Sequence, residues 1–169
     1  MMEFTSSPSF SKSKHQRIHD VFINFRGEDI GRKFVSHLQY ALSNAGVNTF
    51  FDEANPVKGM QLHELMRAVE GSQIAIVVFS QSYTESTWCL DELEQIIKCN
   101  QTQGQSFLPV FYEIDPSDVR RLKGDFGKSL EEAAKRRYSG EQLEQAFARW
   151  SRALNKAAGI SGYDSRNFR

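Results

Sequence analysis

The 169-residue sequence lacks an excess of either charge, because 21 lysines and arginines balance 21 aspartates and glutamates. A net charge of zero provides no overall basic field for nucleic acid or an anionic membrane surface. No apolar run approaches the roughly 20 residues of a membrane-spanning helix, and the amino terminus has no apolar core of the signal-peptide type. These absences argue against membrane and nucleic-acid partners.

Cysteine is also scarce, and the two that occur, Cys89 and Cys99, lie within one predicted helix, where their spacing prevents a disulfide. Without disulfides, a reducing compartment is expected, the cytoplasm or also the nucleus. The histidines show no metal-ligand spacing with each other or with the cysteines. They are His15, His19, His37 and His63. The sequence therefore predicts neither a metal site nor a resident cofactor.

Several catalytic motifs are missing as well. The sequence contains no Walker-type or G-x-G-x-x-G phosphate loop and no G-x-S-x-G nucleophile elbow. A phosphoacceptor receiver domain would require an aspartate at the end of the third predicted strand, where this chain has Phe79-Ser80. Glu28-Asp29 could imitate the acidic pair of such a domain, but the missing aspartate argues against it.

Apolar strands alternate with amphipathic helices along the chain. The strands are predicted at residues 21–25, 47–51, 74–79 and 107–112, with a short one near 159–163. Six consecutive apolar residues from Ile74 to Phe79 are typical of a strand buried on both faces, and the alternation predicts an α/β fold with a parallel sheet. Residues 1–17 are predicted to be a flexible tail, and residues 18–169 one domain.

Two local features carry further predictions. Pro109 cannot donate a hydrogen bond to a neighbouring strand, so it predicts a sheet edge or a bulge. The glycines in Lys123–Gly127 predict a break between two helical segments.

The carboxyl ends of parallel strands form the usual ligand crevice in such sheets. Three predicted post-strand segments would meet there: residues 25–27, 52–59 and 80–88. A helix capped by Ser86 or Thr87 follows the third segment. At roughly 100° per residue, Glu92 falls on the border of its apolar stripe, while Asp91 and Glu94 point toward water. Acidic residues are also favoured in first helical turns by the helix dipole alone, so both interpretations of Glu92 remain open.

The side chains predicted at this crevice suit an anionic ligand that carries a sugar. Arg26 could bind a phosphate group through two parallel hydrogen bonds, and Trp88 offers a flat stacking surface. Glu92 could bind ribose hydroxyls or stabilise an oxocarbenium-like transition state, as carboxylates do in glycoside hydrolysis.

These features occur within longer motifs that together resemble the Toll/interleukin receptor (TIR) domain of plant intracellular immune receptors. The motifs are DVFINFRGED at 20–29, FVSHLQYAL at 34–42, IAIVVFSQSY at 74–83, STWCLDEL at 86–93, LPVFYEIDPSDVR at 108–120 and FGKSL at 126–130. The similarity extends from about His19 to Asp164. Each motif alone is moderately specific, and their common order is very specific.

The resemblance implies a five-stranded parallel sheet in flavodoxin-like order and an NAD+ nucleosidase, with NADP+ as an alternative substrate. It implies that Glu92, the glutamate of the W-C-x-x-E pattern, is catalytic. The implied substrate-binding residues are Phe25, Arg26, Gly27, Ser82, Trp88 and Cys89. The implied partners are other TIR domains, bound through Ser36 and His37 and through Lys58 and Gly59 of the loop at 52–59.

The chain departs from the family pattern at three places. Ile30-Gly31 replaces the usual Thr-Arg, Pro56 stands in the loop at 52–59, and the sequence ends before the family's final amphipathic helix. The resemblance therefore implies a self-association surface that lacks one helix. A catalytically silent homotypic interaction module remains the alternative to an enzyme, and the carboxylate of Glu92 is the feature that favours the enzyme.

Overall fold

The predicted alternation of strands and helices forms one α/β unit in the computed structural model, which describes residues 19–26, 30–52 and 62–168. The elements are β1 (His19–Asn24), α1 (Ile30–Asn44), β2 (Thr49–Asp52), α2 (Leu62–Glu70), β3 (Ser72–Phe79), α3 (Thr87–Gln103), β4 (Ser106–Phe111), α4 (Pro116–Arg121), α5 (Gly124–Arg137), α6 (Gly140–Ala158) and β5 (Tyr163–Asp164). Short 3-10 helices cover Tyr83–Glu85 and Ser165–Phe168. No described helix is both long and apolar enough to cross a membrane.

The strands form a five-stranded parallel sheet in the order β2-β1-β3-β4-β5. This confirms the flavodoxin-like order that the resemblance implied. From β1 the chain continues to β2 at one edge of the sheet, whereas from β3 it continues to β4 in the opposite direction across the sheet. The strand order therefore reverses between β1 and β3, and the carboxyl ends of these two strands are the usual ligand position in doubly wound sheets.

Each face of the sheet carries its own apolar core, because successive strand side chains point to opposite faces. Phe22 of β1 faces the larger core, which α2 to α6 cover. Val21 and Ile23 face the smaller core, which is formed with Val35 of α1 and with β3 and β4. Side chains on the two faces of β1 therefore serve different layers of the fold.

The ends of α3 match their sequence signals. The Oγ atom of Ser86 accepts a hydrogen bond from the backbone N of Cys89 at 3.1 Å, which identifies Ser86 as the N-cap. Gly104 ends the helix with a left-handed φ of 71°. Because the cap fixes where the helix begins, it also fixes which of the following residues turn toward the sheet.

The predicted break between two helices is present but shorter than expected, because α4 ends at Arg121 and α5 already begins at Gly124. Phe126 is buried in the larger core and holds the first turn of α5. A Cβ atom at Gly127 would lie 2.0 Å from the carbonyl oxygen of Leu122, so the glycine permits a close backbone approach. The residue that suggested a helix breaker is therefore a packing requirement.

Pro109 lies at a partly open edge of the sheet, as predicted. β5 pairs with β4 only at Val110 and Phe111, so Pro109 has its neighbouring strand, β3, on one side only. The chain approaches β4 again through Gly162, where a Cβ atom would lie 2.1 Å from the carbonyl oxygen of Pro109. The short final strand thus depends on the absence of a side chain at Gly162.

Gly162→Ala should lower the free energy of unfolding by about 1–3 kcal/mol, the usual cost of overpacking, because the added methyl group meets backbone rather than a mobile side chain. Urea denaturation at neutral pH measures the difference. Gly159→Ala is the matched control, since its Cβ would lie 3.4 Å from the carbonyl oxygen of Asn155, an ordinary contact distance. Equal stability of the two variants would contradict the prediction.

Candidate active site

The candidate site lies where the adjacent strands β1 and β3 reach their carboxyl ends. Asn24 is the last residue of β1 and pairs in register with Val77 of β3. β3 ends two residues later at Phe79, and the segment of residues 80–86 then leads into α3. The topology therefore brings the end of β1, the segment after β3 and the first turns of α3 to one place.

Glu92 lies in the second turn of α3 and is fully buried, with 0% of its surface exposed. The Nδ2 atom of Asn24 donates a hydrogen bond to the Oε1 atom of Glu92 at 2.5 Å. The sequence predicted a carboxylate that faces an open cleft. The structure instead encloses the carboxylate, although it lies against the end of β1 as expected.

The hydrogen bonding continues from Asn24 to Tyr83. The Oη atom of Tyr83 donates to the Oδ1 atom of Asn24 at 2.5 Å and lies 3.2 Å from the carbonyl oxygen of Cys89. Burial raises the pKa of Tyr83 well above its ordinary value of 10.0, and the nearby Cys89 and Glu92 raise it further. The phenol therefore keeps its proton and acts as a donor.

Sequence reasoning did not identify Asn24 or Tyr83 as part of the site. A signal existed at Asn24, which is the one polar residue in the apolar segment VFINF. An amide at a strand position that faces a core requires hydrogen-bond partners. Its partners could not be named from the sequence, because they lie 59 and 68 residues further along the chain.

Arg26 extends from the end of β1 toward the segment that precedes α3. Its Nη2 atom lies 3.5 Å from the Oε1 atom of Glu85, with 19% of the arginine side chain exposed and 47% of the glutamate side chain. The guanidinium group is thus placed on the same side of the crevice as the first turns of α3. Glu85 is a further site residue that sequence reasoning missed.

The other predicted substrate-binding residues differ in their placement. Phe25 packs in the smaller core, on the face of the sheet opposite to α3, so its predicted contact with substrate stays a prediction. Trp88 packs against the larger core and is partly exposed, whereas Cys89 is fully buried. The hydroxyl of Ser82 lies 3.4 Å from that of Ser80.

Gly27, Lys58 and Gly59 lie outside the described residues, so their predicted roles remain predictions. Ser36 and His37 are exposed on α1, which the predicted self-association surface requires. Tyr40 on the same helix is 70% exposed. This helix therefore presents both polar and aromatic groups to solvent in the single chain.

Asp91 and Glu94 correct a second prediction, because neither points freely into water. Asp91 accepts hydrogen bonds from the Nε1 atom of Trp150 at 3.2 Å and from the Nη1 atom of Arg137 at 2.9 Å. Glu94 pairs with Arg149 at 3.3 Å, and its pKa is raised because burial outweighs the effect of that arginine. These contacts attach α5 and α6 to the helix that carries Glu92.

The sequence of this chain is similar to a known domain family and to named proteins. The family described as TIR domain matches residues 18–169. The chain is 43% identical over 164 residues to disease resistance protein TAO1 of Arabidopsis thaliana, which covers 97% of this chain and 13% of that protein. It is 42% identical over 153 residues to TMV resistance protein N of Nicotiana glutinosa, covering 90% of this chain and 13% of that protein.

A solved structure agrees with the sequence comparisons. The TIR domains in the structure of the activated Roq1 resistosome match with a TM-score of 0.76 and 40% identity, covering 89% of each chain. The present chain spans about an eighth of the length of the curated relatives named above.

Tyr83→Phe should weaken the dependence of stability on alkaline pH. The pKa of Tyr83 is higher in the folded chain than in the unfolded chain. Its contribution to the free energy of unfolding is therefore complete below about pH 10 and is lost as the pH rises toward the pKa of the folded chain. Above about pH 10, ionisation of Tyr83 in the unfolded chain should lower the free energy of unfolding of the wild type by up to about 1.4 kcal/mol per pH unit. Urea denaturation between pH 9 and 11 measures the slope.

Tyr138→Phe is the matched control, since it removes a phenol that lies beside Trp150, away from Asn24. This variant should retain the contribution of Tyr83. Identical slopes for the wild type and Tyr83→Phe would show that Tyr83 ionises equally in the folded and unfolded chains.

Proposed function

We propose a function for this chain from the premise that it belongs to the TIR domain family. The chain cleaves the bond between nicotinamide and ribose in NAD+, with NADP+ as an alternative substrate, and releases nicotinamide and an ADP-ribose-type nucleotide. The observation that carries this proposal is the approach of Glu92 and Arg26 to the carboxyl ends of β1 and β3. Nucleotides bind at this position in doubly wound sheets.

The reaction suits the side chains at this place. Departure of nicotinamide leaves positive charge on the ribose, and a carboxylate such as Glu92 stabilises an oxocarbenium-like transition state. Arg26 would pair with the pyrophosphate, and the partly exposed ring of Trp88 would stack on a base. Nicotinamide is already cationic in the substrate, so its departure requires no bound cofactor.

Burial of Glu92 implies that the single chain is a resting form. A carboxylate with 0% exposure reaches a nucleotide only after the groups around it move. In this proposal other TIR domains drive that change by binding the exposed α1 surface at Ser36 and His37 and the loop that contains Lys58 and Gly59. The solved relative is itself described as part of an activated resistosome, which supports assembly as the trigger.

The wider setting follows from the named relatives, which are plant disease resistance proteins. We propose that the chain acts in innate immune signalling, in the cytoplasm and also in the nucleus. Its partners are NAD+ and other TIR domains, and neither a membrane nor nucleic acid enters the mechanism.

A second candidate function is a non-catalytic module that signals by homotypic contacts alone. The burial of Glu92 and its hydrogen bond with Asn24 favour this alternative, because a buried, hydrogen-bonded carboxylate can be purely structural. The two functions predict different activities for a variant that removes the charge of Glu92 but keeps its hydrogen bond with Asn24.

Glu92→Gln should lower nicotinamide release from NAD+ by about 100-fold or more, since it removes the charge that stabilises the transition state. Its amide oxygen can still accept from Asn24, so the fold should remain intact. The measurement is chromatographic detection of nicotinamide and nucleotide products at high protein concentration. Glu94→Gln is the matched control on the same helix, where the carboxylate pairs with Arg149 instead.

Three results of this experiment are informative. A folded but inactive Glu92→Gln beside an active Glu94→Gln supports the enzyme. Equal nicotinamide release by wild type and Glu92→Gln would remove Glu92 from the mechanism. No release by the wild type at any concentration, together with intact self-association, would favour the interaction module.

Activity should rise more steeply than in proportion to protein concentration, because a neighbouring domain is required to open the site. Initial rates over a dilution series in a crowding agent measure this dependence. Ser36→Ala and His37→Ala should move the steep region to higher concentration without abolishing activity. Strict proportionality across the series would show that a single chain is sufficient.

A further inference from the structure

We infer that Asn24 and Tyr83 are positioning residues for Glu92, forming a buried hydrogen-bonded chain that sets the orientation of its carboxylate toward the nucleotide. This inference rests on the proposed function, and it identifies which residues prepare the carboxylate for cleavage. The three residues come from the end of β1, the short helix after β3, and α3.

The hydrogen bonds run from Tyr83 through Asn24 to Glu92. The contact with Glu92 sets this direction, because an ionised carboxylate only accepts and so requires the amide nitrogen of Asn24 to face it. The amide oxygen of Asn24 then faces Tyr83, whose hydroxyl donates to it and also lies near the carbonyl oxygen of Cys89.

Packing shields these hydrogen bonds from solvent. Asn24, Tyr83 and Glu92 each have 0% exposure, so solvent does not compete for their hydrogen bonds. The ring of Tyr83 lies edge-on to Phe79, with centroids 4.8 Å apart. Rotation of the Asn24 amide would turn its oxygen toward the carboxylate of Glu92 and set two acceptors against each other.

Tyr83 adds no second negative charge beside Glu92. The phenol of Tyr83 cannot become a competing negative charge near neutral pH, because burial keeps its pKa well above 10.0. Asn24 and Tyr83 thus orient the carboxylate of Glu92 without themselves contacting the nucleotide.

The chemistry required at position 24 is specific. A serine hydroxyl can accept from Tyr83 and donate to Glu92, as the asparagine amide does, but its reach is shorter. An alanine can do neither. Asn24→Ser should therefore preserve part of the function that Asn24→Ala loses, whereas a purely steric role would be served equally by both small residues.

The test measures kcat and KM for NAD+ cleavage by Asn24→Ala, Asn24→Ser and Tyr83→Phe at assembled protein concentrations. We expect kcat to fall by about 10- to 100-fold in Asn24→Ala, the scale of a misplaced catalytic group, with a smaller fall in the other two. KM should stay within about twofold, because none of these residues binds NAD+ directly. The matched controls are Tyr138→Phe and Asn100→Ala, whose amide donates to Gln105 at the end of α3 distant from Glu92.

A second measurement does not require activity. With the glutamate carboxyl carbons labelled by 13C, the side-chain resonance of Glu92 should shift in Tyr83→Phe and in Asn24→Ser, and it should not shift in Tyr138→Phe. An unshifted resonance, or unchanged kcat in Asn24→Ala, would overturn the inference. Shifted resonances in a wild type that releases no nicotinamide would show that the hydrogen-bonded chain is real but that the proposed cleavage is not.

Discussion

The hydrogen bond between Asn24 and Glu92 joins the first strand to the helix after the third strand, inside the larger core. A carboxylate buried without such a partner would be very unfavourable, because desolvation opposes its charge. The neighbouring elements are arranged around this requirement. β1 ends at the amide of Asn24 instead of another apolar residue. The segment after β3 places the phenol of Tyr83 against that amide, and the starting point of α3 directs Glu92 toward Asn24.

Three acidic residues of α3 illustrate how position on a helix decides the role of a side chain. Asp91 bonds to Trp150 and Arg137, and Glu94 pairs with Arg149, so both hold neighbouring helices in place. Glu92 lies about 100° around the helix from Asp91, on the side away from Glu94, and contacts Asn24 of the sheet. The chemistry of the three side chains is almost the same, and only their angle around the helix separates attachment from the candidate site. A rigidly held helix is what a catalytic group requires, because small displacements of such groups are costly.

Much of the fold could be predicted from local signals, since the apolar run at Ile74–Phe79, the cap at Ser86 and the glycine at Gly104 act within a few residues. The position of Glu92 near the end of β1 was also predictable from the topology of parallel sheets. The partners of Glu92 were not, because contacts between Asn24 and residues after β3 depend on strand register. Alternation along β1 directs Phe25 to the face opposite α3, which local sequence alone could not relate to the site. The break after α4 was predicted too long, because Gly127 permits a close approach to the Leu122 carbonyl instead of ending a helix.

The pairing of Arg26 with Glu85 has a consequence for anion binding under the proposed function. The carboxylate of Glu85 already contacts the guanidinium that a phosphate would use, so an incoming anion would gain only the difference between the two attractions. Ion pairs near the surface contribute about 0–1 kcal/mol, which corresponds to at most about a fivefold change in affinity. Glu85 would thus act as a weak internal competitor that a pyrophosphate readily displaces.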